Sequence, residues 1–78
     1  MKYKTEDELY STIGKNIKLY RKAAKLTQSE LCQKCNISFS YLTKIEAPNC
    51  PKSISLASLN VISNILNVDI TKLLERRN

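Results

Sequence analysis

Residues 27–46 read Thr27-Gln28-Ser29-Glu30-Leu31-Cys32-Gln33-Lys34-Cys35-Asn36-Ile37-Ser38-Phe39-Ser40-Tyr41-Leu42-Thr43-Lys44-Ile45-Glu46. Thr27 with Glu30 three residues on is a capping box, in which hydroxyl and carboxylate each accept a backbone N–H orphaned at a helix start. Leu31, Cys32 and Cys35 then share a face, so a helix is predicted over about 28–35. Asn36 tolerates the left-handed backbone better than any residue but glycine, and it stands where the chain must turn. Ser38 is the next N-cap. From Phe39 to Glu46, Leu42 and Ile45 fall on one side with Tyr41 at the edge, while Phe39, Ser40, Thr43 and Lys44 project to the other. The expectation is a second short helix, half exposed.

Outward from this pair the chain continues helical. Thr5 and Glu8 form another capping-box pair, after which Leu9, Ile13, Ile17, Tyr20 and Ala24 recur every three or four residues, predicting a first helix over about 6–24. Downstream, Ala47-Pro48-Asn49-Cys50-Pro51-Lys52 holds both prolines and reads as a loop. Ser55 restarts helical order, and Leu56, Leu59, Ile62, Ile65 and Leu66 make the stripe of a fourth helix that Asn67 stops. Asp69 caps a last helix carrying Ile70, Leu73 and Leu74, to be used either in the core or in a dimer seam. The tail Glu75-Arg76-Arg77-Asn78 is expected to fray. Five helices and no strands define an all-α domain.

Seventy-eight residues allow one core and no separate catalytic module, so residues 1–78 are read as a single domain. Thirteen basic residues oppose seven acidic ones, a net charge of +6. The whole excess lies between Lys15 and Lys52, in Lys15, Lys18, Arg21, Lys22, Lys25, Lys34, Lys44 and Lys52 against Glu30 and Glu46. Such a distribution suits a polyanion, although a solvated surface also uses charge. The start lacks the apolar core of a secretory signal and no stretch approaches the roughly 20 apolar residues that span a bilayer, so a cytoplasmic protein with no membrane partner is expected.

Three cysteines cannot all pair, and the absence of a signal implies reduced thiols. Cys32-x-x-Cys35 with Cys50 would offer three thiolates to zinc, but a structural site takes four ligands and the chain has no histidine, so Cys32 and Cys35 read as small buried hydrophobes. Cys50 in the loop is the thiol open to a redox role. No metal, cofactor or small-molecule ligand is expected. With one glycine and no nucleophile set beside a base, neither is an enzyme.

Two short helices across a tight turn are the means by which one helix is braced for entry into a major groove roughly 12 Å wide. At this point the sequence resembles the phage-repressor, or Xre/Cro-like, helix-turn-helix family. The resemblance rests on Ile13-Gly14-x-x-Ile17-x-x-x-Arg21, Leu26-Thr27-Gln28-x-Glu30-Leu31, Ile37-Ser38-x-Ser40-Tyr41-Leu42-x-Lys44-Ile45-Glu46, Leu59-x-x-Ile62 and Leu66-Asn67-Val68, over residues 13–74. It implies a compact five-helix DNA-binding domain acting as a transcriptional repressor or controller, a homodimer on a pseudo-palindromic duplex operator. Phe39, Ser40, Thr43 and Lys44 match the base-reading positions. Gln28 matches a phosphate contact, Tyr41, Asn49 and Lys52 border phosphates, and Arg21 with Glu46 matches a structural ion pair. The chain departs from the pattern in four places: Asn36 stands for the usual turn glycine, Cys32 for alanine and Ala47-Pro48 for a residue-plus-glycine exit. The fourth is Phe39, in place of a polar residue that would bond to the glutamine of the preceding helix. The alternative is a protein-interaction module of antirepressor or antitoxin type using the same helices, and a metal-dependent redox sensor is a more distant one.

Overall fold

The computed structural model describes residues 2–48 and 52–76. Among them lie five helices and no strand: α1 Glu6–Ala23, α2 Gln28–Cys35, α3 Phe39–Glu46, α4 Leu56–Leu66 and α5 Ile70–Leu74. Each begins at the hydroxyl or carboxylate cap legible in the sequence. Thr5, Thr27, Ser38 and Ser55 accept the N–H of the residue three places on, and Asp69 accepts that of Thr71. The box at Thr27 is complete, with Glu30 accepting from the Thr27 backbone. The one at Thr5 is half formed, because Glu8 turns its carboxylate to the backbone N–H of Lys4 instead.

Asn36 and Asn67 close α2 and α4 in the left-handed region, φ 55° and 57°. A third left-handed residue, Lys25 at φ 61°, was not foreseen. It lets the Leu26 N–H reach back to the Arg21 carbonyl at 3.1 Å while its own N–H meets Lys22 at 2.9 Å, the closure that ends α1. A lysine accepts this backbone less readily than glycine would.

The core gathers Ile13 and Ile17 from α1, Leu31, Cys32 and Cys35 from α2, Leu42 and Ile45 from α3. Leu59, Ile62 and Leu66 from α4, Leu73 from α5 and Ile54 from the connection complete it. Three expected stripe members do not join them. On α4, Leu56 is 75% exposed and Ile65 37%, because the helix turns Leu59, Ile62, Ser63 and Leu66 inward and leaves Leu56, Val61 and Ile65 outside. On α1, Ala24 is the exposed C-cap rather than a core residue. Leu73 is fully buried and Ile70 and Leu74 pack partly against the core, so α5 serves the interior.

The tail is a correction of substance. Asn16, buried on α1, donates to the Leu73 carbonyl at 2.9 Å and to the Glu75 carbonyl at 2.7 Å, satisfying acceptors left open where α5 ends. The Tyr3 hydroxyl donates to the Leu74 carbonyl, and Arg76 bonds Glu8 and the Lys2 carbonyl while lying over the Tyr3 ring, 4.7 Å from its centroid. Residues 75 and 76 are therefore held, not frayed; Arg77 and Asn78 lie outside the described residues. No helix among the described residues is long and apolar enough to cross a membrane.

Candidate nucleic-acid interface

The candidate surface is built on how α3 is seated. Gly14 makes the seating possible: a Cβ added there would lie 2.0 Å from the Ile45 carbonyl oxygen, so only a residue without one lets α1 reach the end of α3. One and a half to two turns further along α1, Arg21 closes the same contact. Its Nε donates to Glu46 Oε2 at 2.8 Å, its Nη2 to Oε1 at 2.9 Å, and its Nη1 to the Leu26 carbonyl at 2.8 Å. The pair is almost wholly sheltered, with 8% and 2% of the two side chains exposed. The Glu46 carboxylate pushes the Arg21 pKa up beyond its already high ordinary value, so the bridge keeps its guanidinium charge.

Glu46 has a further donor. Gln28, the first residue of α2, gives its Nε2 to Oε1 at 3.1 Å, so α1, α2 and the end of α3 meet on one carboxylate. The sequence pattern placed Gln28 at a phosphate and did not show this bond. A glutamine amide carries two N–H donors and a carbonyl, which leaves it capacity beyond Glu46.

With Leu42 and Ile45 buried, the opposite side of α3 faces out. Phe39 is 52% exposed, and Ser40 and Lys44 are exposed as well. Thr43 is half-buried and donates its hydroxyl to the Ser40 carbonyl at 2.9 Å, which commits its proton and leaves its oxygen as an acceptor. Tyr41 is half-buried at the edge with its hydroxyl 3.5 Å from the Ser53 carbonyl, and Lys52 is exposed at the start of the same segment. Asn49 and Cys50 lie outside the described residues. Cys32 sits beneath the turn and gives its thiol to the Ser38 carbonyl at 3.6 Å, tying α2 to the cap of α3. Burial raises the pKa of Cys32 and Cys35, the reverse of what a reactive or metal-binding thiol requires.

Two short helices across a left-handed turn, the second braced from below and open above, define a helix-turn-helix. A family described as helix-turn-helix matches residues 17–73, and the chain belongs to it. It is 38% identical over 60 residues to the immunity repressor protein of Bacillus phage phi105, covering 77% of this chain and 40% of that one. It is 37% identical over 65 residues to the HTH-type transcriptional regulator SinR of Bacillus subtilis (strain 168), covering 83% and 58%. The chain thus spans about half the length of these curated relatives. A crystal structure of SinR, described as the master regulator for biofilm formation, in complex with DNA superposes with a TM-score of 0.74 at 38% identity, over 81% of this chain and 98% of that one.

Proposed function

We propose that the protein is a sequence-specific regulator of transcription, acting in the cytoplasm, which inserts α3 into the major groove of a duplex operator and performs no chemistry. The observation that carries this reading is the outward face of α3. Its exposed side chains are of the kinds that meet base edges, while its inner face and its end are locked to α1 and α2. Ser40 and Lys44 hydrogen-bond bases, Lys44 favouring guanine acceptors, and Phe39 and the Thr43 methyl lie against thymine methyls. Gln28 keeps its bond to Glu46 and turns its remaining donor to a phosphate at the start of α2, where the helix dipole helps. Tyr41, Asn49 and Lys52 border the phosphates beyond.

The active unit is a homodimer. An eight-residue helix is about 12 Å long and spans about four base pairs, too few to specify a site, whereas two copies reading half-sites about one helical turn apart double the information. The relatives' names, an immunity repressor and a regulator solved with DNA, support the duplex-binding part of the reading.

Selection of bound fragments from random duplexes, followed by titration of the winner, tests it. A palindromic motif and an affinity that falls steeply between roughly 50 and 200 mM salt are expected. Ser40→Ala and Lys44→Ala each relax preference at one base position by about 1–3 kcal/mol, while Gln28→Ala weakens all duplexes. Absence of duplex binding even at low salt would replace the reading with the protein-interaction module.

A further inference from the structure

We infer that Lys18, on the first helix and outside the helix-turn-helix, contacts a DNA phosphate beside the C-terminal end of α3; the inference rests on the duplex-binding reading above. The midsection of α1 carries Lys15, Lys18, Arg21 and Lys22 with no acidic residue among them, whereas its first turn holds Glu6, Asp7 and Glu8. Arg21 is answered by Glu46, but Lys18 still has Lys15 three places before it and Lys22 four after it, a spacing that puts like charges side by side on the helix and costs stability. Among the described residues, Lys15, Lys18 and Lys22 are exposed and none makes an ion pair with an acid of this chain. These three lysines, left without counter-charge, are matched by a polyanion outside the chain.

Geometry separates Lys18 from its neighbours. The line along α1 that faces α3 is marked by Gly14, pressed on the Ile45 carbonyl, and by Arg21, gripping Glu46. At 100° per residue Lys18 lies about 40° from Gly14 around the axis, Lys22 about 80° and Lys15 about 100°. Lys18 is thus the lysine of α1 nearest in angle to the line that faces α3, and along the axis it lies between the two contacts. A strand passing the end of the inserted helix comes within reach of Lys18. This extends the footprint past the bases read by α3 and onto α1, upstream of the reader pair.

The rival role for Lys18 is to sit over the carbonyls at the end of α3 and stabilise that terminus without touching DNA. The test compares the wild-type chain, K18Q and K15Q on the selected duplex by fluorescence anisotropy at 50, 100 and 200 mM salt, with thermal melting of each protein alone. Loss of one phosphate contact lowers the salt slope by about 0.9, so the affinity advantage of wild type over K18Q shrinks about threefold between 50 and 200 mM, with an unchanged melting temperature. K15Q keeps the wild-type slope, and K18R restores it. An unchanged slope for K18Q, with or without a lower melting temperature, overturns the inference, as does an equal drop for K15Q, which would mark general charge attraction. Failure of the wild type to bind any duplex appears before the variants are compared and sinks the underlying reading instead.

Discussion

Helix α1 forms two polar seams, one with α3 and one with α5, and they are built differently. Toward α3 a buried ion pair with a glutamine added closes on a charged carboxylate, over a contact so close that only glycine fits. Toward α5 a neutral asparagine caps two backbone carbonyls, helped at the surface by Tyr3 and Arg76. A carboxylate taken from water demands a complete set of donors and is costly to leave unpaired, so the first seam permits few arrangements. Carbonyls at a helix end ask only for a hydrogen bond and accept water as a substitute. The angle of α3 is thus held by the seam that tolerates least, and the end of the chain by the more forgiving one.

The contrast can be broken experimentally, beginning with the largest effect. Arg21→Ala leaves Glu46 as a sheltered charge and should cost about 3–5 kcal/mol in urea denaturation, a large share of what a domain of this size possesses, with DNA binding lost alongside. Glu46→Gln in the Arg21→Ala background should recover part of that stability, since the stranded charge is then gone. Gly14→Ala comes next: the added carbon meets backbone, which cannot rotate away, and about 1–3 kcal/mol or somewhat more is expected together with altered base preference as α3 shifts. Asn16→Ala should cost about 1–3 kcal/mol while leaving the selected motif unchanged. A motif altered as much by Asn16→Ala as by Gly14→Ala would show that the two seams do not act separately.

The smallest effect is on acid stability. Glu30 is held below its ordinary 4.5 by accepting the Thr27 backbone N–H, and Asp69 below its ordinary 3.8 by accepting that of Thr71. A carboxylate with a depressed folded-state pKa stabilises the fold above its ordinary value and loses that contribution as pH falls toward the shifted one. Melting temperature should therefore be flat with respect to these groups down to about pH 5 and decline below it. Glu30→Gln should remove the part that belongs to the reader side and Asp69→Asn the part that belongs to α5. A profile unchanged by both substitutions would detach the acid transition from these caps.

Caps, turns and the two-sided pattern of α3 were legible in the sequence because each depends on neighbours within four residues. Thr27 with Glu30, Asn36, Ser38 and the spacing of Leu42 and Ile45 carry their own geometry through backbone hydrogen-bonding and helical periodicity. The ion pair between Arg21 and Glu46, 25 residues apart, entered only through family resemblance, since no local rule links such positions. What escaped was of the same distant kind. Asn16 and the α5 carbonyls stand 57 and 59 residues apart, and an asparagine in mid-helix looks like any exposed polar residue until the partner is in place. Leu56 and Ile65 fit a helical stripe by spacing, yet that stripe is wider than the strip of core available to α4.

The chain by itself determined its helices, their ends and the reader's two-sided character, because caps and the period of 3.6 residues are set by neighbours within four residues. Only the tertiary structure decided which polar groups meet: Gln28 with Glu46, Asn16 with the end of α5, and Arg76 with Glu8 and Tyr3. The reason is that the partner of a long-range hydrogen bond is chosen by where packing leaves an unmet donor or acceptor, and packing is a property of all five helices together.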